Sequence, residues 1–321
     1  MPSWLTIRDT DSALPISVPV SPGTPPLTIF QPYSSVNGAD QGFGTPFEMR
    51  SLIFQDDVDG TAAANFTVML KEVGEAREFM NNPVHIRTIA GSGQFPAILR
   101  EPYMFLSQHN VSAKFVKVAG PTTQMRFYAA GAQYYPWSPT LIQYPADKRE
   151  LLKLLSQWMN RRKSVTPFWL TTDNVPQDGL TPPGSVTIPA GAGTGKFQTT
   201  AKIGDDGHFE AYGWCAVSTG KFALDLVETK TKQTLMNGQV SNVNSVGSSF
   251  LPTLFPSPYL IPAGYRLRWN FLNLTAAPNL VFFTLFGRKI YAPISQVAET
   301  LQRTAVPTPA DSPTMLVPSP L

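Results

Sequence analysis

Phe222-Ala223-Leu224-Asp225-Leu226-Val227-Glu228 sets Phe222, Leu224 and Leu226 on one side of an extended chain, the period-two pattern of a half-buried strand. At a constant offset of 156 residues stands Phe66-Thr67-Val68-Met69-Leu70-Lys71-Glu72, with Phe, Leu and Glu at the matching places. The match runs without a gap from 66–135 to 222–291, and 15 of the 70 positions are identical. Those identities fall on turn and core residue types: Gly91-Ser92 with Gly247-Ser248, Pro102-Tyr103 with Pro258-Tyr259, Phe115 with Phe271, Phe127 with Phe283, and Gly131 with Gly287. Self-similarity of this kind points to an internal duplication.

Outward from that repeat the strand reading continues. Tyr265, Leu267, Trp269 and Phe271 alternate with Arg266, Arg268 and Asn270, and Val111, Ala113 and Phe115 take the same places in the first copy. Turns are expected at Gly120-Pro121 and Ala277-Pro278. Short strands punctuated by Gly, Pro and Asn, with no helical crossovers between them, predict a mainly β protein. The expected fold is two tandem duplicated antiparallel β-sandwich domains, jelly-roll-like, joined by an amphipathic helix. That helix is predicted over 146–163, where Leu151, Leu152, Leu154, Leu155, Trp158 and Met159 form one stripe and Arg161, Arg162 and Lys163 suit its C-terminal dipole. A shorter helix is expected over 294–303. The resulting division is an extended N-terminal arm over 1–46, a first sandwich over 47–145, a linker helix and strand over 146–170, a second sandwich over 171–303 and a Pro-rich tail over 304–321.

Composition narrows the function. Of 321 residues 15% are charged, 31 are Pro, and the formal charge is +3, which gives no electrostatic footprint for a nucleic acid. One cysteine, Cys215, excludes an intramolecular disulfide and a multi-cysteine zinc site; it is expected to pack on the apolar core side of its strand with Gly213 and Val217. No apolar run is long enough for a membrane span, and no secretory signal is expected at the N-terminus. Ala190-Gly191-Ala192-Gly193-Thr194-Gly195-Lys196 has the look of a phosphate loop, but Phe197 replaces the hydroxyl residue that would ligate magnesium. Asp56, Asp57 and Asp59 lack the closing glutamate of a calcium loop, and Asp205-Asp206-Gly207 reads as a hairpin turn. His85, His109 and His208 lack the spacing of a metal site. No cofactor and no catalytic constellation is expected.

The run Pro258-Tyr259-Leu260-Ile261-Pro262-Ala263-Gly264-Tyr265-Arg266-Leu267-Arg268-Trp269, followed by Phe282-Phe283-Thr284-Leu285-Phe286-Gly287-Arg288-Lys289-Ile290-Tyr291, resembles β-sandwich structural proteins of tailed bacteriophages. The likeness lies mainly in the second copy; the first has Ala132-Gln133 where Arg288-Lys289 stand. It implies a non-enzymatic virion component, a minor capsid or decoration protein or a collar, tail or baseplate ring subunit, made in the host cytoplasm. Its partners would be further copies of itself and neighbouring virion proteins, with no nucleic acid and no membrane. Candidate assembly contacts are Leu14, Ile16, Val18, Ile29 and Phe30 in the N-terminal arm, Leu155 and Trp158 on the helix, and the Arg288-Lys289 pair. Deleting 1–30 is then expected to weaken assembly while leaving the β fold intact. The alternative is a carbohydrate- or host-surface-binding module, with Tyr134, Tyr135 and Trp137 as a stacking platform.

Overall fold

Strand β17 (Arg266–Asn273) buries every second residue, with Leu267, Trp269 and Phe271 at most 1% exposed. It pairs antiparallel with β14 (Phe222–Glu228), whose Phe222, Leu224 and Leu226 face the same way and are fully buried. Opposite them lies β18 (Asn279–Ile290), and Phe283 meets the Trp269 ring edge-on at 5.2 Å, closing two sheets face to face. Each such aromatic contributes about 1.5–3 kcal/mol through the apolar area it buries.

The coordinates are a computed structural model, described over 4–8, 16–17, 27–30, 47–55, 65–72, 77–92, 94–105, 111–119, 124–133, 164–174, 182–236, 238–248 and 251–291. Over these residues the protein is mainly β, with several antiparallel sheets stacked as β-sandwiches. In the second sandwich one sheet has the order β10 (Val165–Leu170), β18, β13 (His208–Ser218), β16 (Thr253–Ile261), with β11 (Val186–Ile188) also on β18. The other runs β12 (Lys196–Lys202), β17, β14, β15 (Val240–Ser241).

In the first sandwich the sheets are β1 (Trp4–Arg8), β9 (Gln124–Gln133), β4 (Phe47–Gln55), β7 (Ala97–Phe105), with β2 (Ile16–Ser17) on β9, and β3 (Leu27–Phe30), β8 (Val111–Ala119), β5 (Asn65–Glu72), β6 (Val84–His85). Four-residue helices α1 (Ile86–Ile89) and α2 (Asn242–Ser245) follow β6 and β15.

Strand order is the same in both sandwiches, and the registers agree apart from irregularities of β3 and β5 on β8 that β12 and β14 on β17 lack. Val68 faces Phe115 as Leu224 faces Phe271, and Val68 faces Val84 as Leu224 faces Val240. Both central strands bulge at one point, Arg50 in β4 and Tyr212 in β13. Opposite each bulge stands a glycine for a steric reason. A Cβ on Gly131 would lie 1.8 Å from the Glu48 carbonyl oxygen, and one on Gly287 would lie 2.0 Å from that of Glu210.

Three expectations need correction. The stretch 1–46 is not wholly an arm for a partner, because β1, β2 and β3 pair with β9 and β8 of the chain's own first sandwich. Removing 1–30 therefore takes strands from both of its sheets. The strand at the end of the linker is the edge strand of the second sandwich, β10 on β18. Asp205-Asp206-Gly207 is a turn, but it joins β12 to β13 across the two sheets and so closes no hairpin. The helices expected over 146–163 and 294–303, and the tail, lie outside the described residues.

Candidate functional site at the sandwich boundary

The two sandwiches belong to one compact unit that ends at Tyr291. The loop before β6, together with α1, lies on the outer face of the β10-β18-β13-β16 sheet, and the backbone itself is shared there. Trp169 N–H donates to the Phe79 carbonyl at 2.9 Å, and the Asn81 amide both accepts from Thr171 N–H and donates to Thr171 C=O at 2.8 Å, as a strand would. Thr88 and Thr284 hydroxyls bond at 3.0 Å, and the His85 ring rests 4.6 Å from that of Phe282. Trp169 packs into the core of the first sandwich although its strand belongs to the second.

Beside this seam sits a buried ionic cluster. Arg288 on β18 donates through Nε to Glu210 on β13 at 2.5 Å and through Nη1 to Glu101 on β7 at 3.3 Å. Both carboxylates are nearly inaccessible, 3% exposed for Glu210 and 6% for Glu101. The Tyr212 ring lies under Arg100 at 4.8 Å and under Arg288 at 5.9 Å. Burial opposes the charge on Arg288, but Tyr212, Glu210 and Glu101 together outweigh it and hold the guanidinium above its ordinary pKa. Burial is also the main reason that the Tyr212 phenol is pushed well above the usual range.

The cleft left along the seam measures about 50 Å³ and is lined by Ile89, Leu99, Trp169, Tyr212, Phe286 and others. Sites for drug-sized ligands run to roughly 300–1,000 Å³, so this one has room for little more than water. Among the described residues no group of three His, Cys, Asp or Glu could hold a metal ion. His208 is spent on structure: its Nδ1 accepts from Ala263 N–H at 3.0 Å, fixing the turn at Pro262–Tyr265. The glycine loop before Lys196 is an exposed turn into β12, with Gly191 and Gly193 at positive φ.

Cys215 is buried, but on the other face from the one its sequence pattern suggests. The bulge at Tyr212 shifts the alternation, so Trp214 enters the second core while the Cys215 thiol donates to the Thr88 carbonyl of the first sandwich at 3.1 Å. Burial pushes its pKa up and leaves the sulfur unreactive. A thiol reagent is expected to label the native protein at least about two orders of magnitude more slowly than the protein in guanidinium, because reaction must wait for the seam to open. Rapid native labelling would show that the sandwiches part readily.

The remaining candidates divide plainly. Arg288 joins the two sandwiches, and Lys289, 7% exposed and on the opposite face of β18, holds Asp206 at 2.5 Å. Both are therefore engaged within the chain. Ile16 lies on β2, and Ile29 and Phe30 on β3. Leu14, Val18, Leu155, Trp158 and the Tyr134, Tyr135 and Trp137 group lie outside the described residues. Glu101, Glu210 and Tyr212 are the functional residues that sequence reasoning missed. One signal pointed their way: at the 156-residue offset Arg288 stands against Ala132, and Glu101 against Ser257.

No family model matches the chain, and no curated protein matches it. An oxalate decarboxylase variant from Bacillus subtilis is similar at 10% identity over 80% of this chain and 71% of that chain, with a TM-score of 0.19. A structure of infectious bursal disease virus, Gt strain, is similar at 8% identity over 89% and 67%, with a TM-score of 0.21. Vicilin from tomato, Solanum lycopersicum, is similar at 9% identity over 80% and 78%, with a TM-score of 0.16. Likenesses at these TM-scores support no statement about what the chain does.

Proposed function

We propose that the chain is a non-enzymatic structural subunit of a virion, of the tailed-phage kind its sequence resembles. In this reading its body arose by tandem duplication of one jelly-roll sandwich. The observation that carries the reading is how the conspicuous polar chemistry at the seam is used. The buried carboxylates of Glu101 and Glu210 share the half-buried Arg288 guanidinium, which ties the two sandwiches into one block. A block of that kind suits a part that bears load in a shell or ring. The duplication is supported by the equal strand orders and by registers that agree at the 156-residue offset.

The test is whether the protein travels with particles. Particles released from cells that make it are banded by density and digested, and the chain is quantified by mass spectrometry against a known shell protein. Copies in a fixed ratio to the shell protein are expected. Recovery only in the soluble fraction would overturn the proposal.

A further inference from the structure

Helix α1 carries much of the first sandwich's grip on the second. The Cys215 thiol donates to its Thr88 carbonyl at 3.1 Å, the Thr88 and Thr284 hydroxyls bond at 3.0 Å, and the His85 ring at the start of the helix lies against Phe282. A helix of four residues holds its shape through few bonds, and here one is a side-chain cap, Arg87 N–H to His85 Nδ1 at 3.2 Å. Because Nδ1 accepts, the single proton of the neutral ring sits on Nε2, which is buried and unpartnered. A second proton has only Nδ1 to go to. There it meets the Arg87 N–H, donor against donor, so the cap is lost and a charge is left on a ring wholly shut off from water.

The matching helix of the second sandwich shows that the fold does not call for a titratable cap. Ser241 stands at the place of His85 and Val243 at that of Arg87, and Ser241 makes no side-chain cap bond. No residue of α2 is buried, and Asn244, at the place of Thr88, is exposed. Histidine therefore stands on the helix that makes the join, and serine on the helix that does not.

Strands β4, β5, β6, β13 and β18 pack against α1. Next to the helix they bring Ile53, which bridges Gly91 just past it, Thr67 paired with His85, the Cys215 thiol, and Phe282 with Thr284. The nearest charged residues on these strands, Arg50, Lys71, Glu210 and Arg288, stand three to five positions further along. The charge that bears on His85 is that of Arg87 in its own helix, and it opposes a second positive charge.

We infer that α1 is an acid-released latch: when His85 takes a second proton, α1 leaves the face of β13 and β18 and the seam opens at that end, while the strands of both sandwiches stay paired. The Arg288 cluster and the bonds between Asn81 and Thr171 hold the seam elsewhere. The latch lies within one chain, so it operates whatever assembly the chain joins.

Cys215 reports on the latch, because reagent reaches its buried sulfur only when α1 has moved off it. The full chain is labelled with dithiodipyridine, which reacts with thiols in acid as well as at neutrality, and each rate is divided by that of the chain in guanidinium at the same pH. Below pH 6.5 the open state takes up a proton that the closed state refuses, so opening is favoured about tenfold per pH unit. The normalised rate is expected to rise about 100-fold from about pH 7.5 to about pH 4.5, with the β signal of circular dichroism retained. Low urea should leave the acid rate nearly unchanged, because undocking one short helix exposes little surface. His85→Asn and His85→Ser, the second taking the residue of the matching helix, should each remove most of the rise, and thermal melts at neutral pH identify which variants fold. A normalised rate that does not change with pH would overturn the inference. So would a rate that climbs with urea along the unfolding transition, or a rise that persists in the folded variants.

Discussion

Arg288→Met is expected to cost about 3 kcal/mol of stability and to turn a single unfolding transition into a broader one. Removing one partner of a buried ionic cluster costs roughly 3–5 kcal/mol, because the charges left behind stay desolvated without compensation. The lower end applies here, since 26% of the Arg288 side chain still reaches solvent. What remains is Glu210 and Glu101, two carboxylates buried at the seam between sandwiches. Methionine preserves most of the aliphatic packing, so the loss reports on charge. Urea unfolding followed by circular dichroism measures it. The companion variant, Arg288→Met with Glu210→Gln and Glu101→Gln, should recover most of the lost stability, because neutral amides are far cheaper to bury than carboxylates. A single substitution as stable as the wild type would mean that solvent reaches the cluster and the seam is looser than its geometry.

Acid should attack the same seam through His85. Its ring is fully buried, Nδ1 accepts from Arg87 N–H at 3.2 Å, and Nε2 has no hydrogen-bond partner. Burial first, and the nearby Arg87 charge second, push its pKa from 6.5 down to about 3. The folded pKa lies below the unfolded one. As pH falls past 6.5 the unfolded chain therefore takes up a proton that the folded chain refuses. Stability is lost at about 1.4 kcal/mol per pH unit until the folded group also titrates near pH 3. His85→Asn keeps an acceptor at the start of α1 and removes the titration. Its stability curve should be flatter than that of the wild type by about that slope on the acid side of neutrality, as denaturant midpoints at a series of pH values will show. Parallel curves for the two proteins would mean that His85 is protonated in the folded state.

Much of the fold was legible because strands leave a period-two signature. Phe222, Leu224 and Leu226, and Leu267, Trp269 and Phe271, alternate cleanly and are buried where alternation puts them. The strands ahead of residue 66 were harder to see for a definite reason. β4 matches β13 at an offset of 162, whereas β5 matches β14 at 156, because the first sandwich has more residues between these strands than the second. An ungapped match stops at that stretch, and β1 to β3, short and set among prolines, were read as an arm. The face of Cys215 was misjudged because its strand is covered on both sides: Trp214 enters the second core while Cys215, on the side shared with Gly213 and Val217, meets Thr88 of the first sandwich. The ionic cluster joins residues 78 and 187 positions apart, which only the folded chain brings together.

Trp169 sits on β10, the first strand of the second sandwich, yet it fills the core of the first. The boundary between the two hydrophobic cores is thus not a boundary along the chain. During synthesis at about 5–20 residues per second, the last strand of the first sandwich leaves the ribosome roughly 2–7 s before Trp169 does. Until then that sandwich has all its strands and an unfilled place in its interior. The nascent chain must wait for the opening residues of its second half before its first half is finished, so the order of synthesis is also an order of closure.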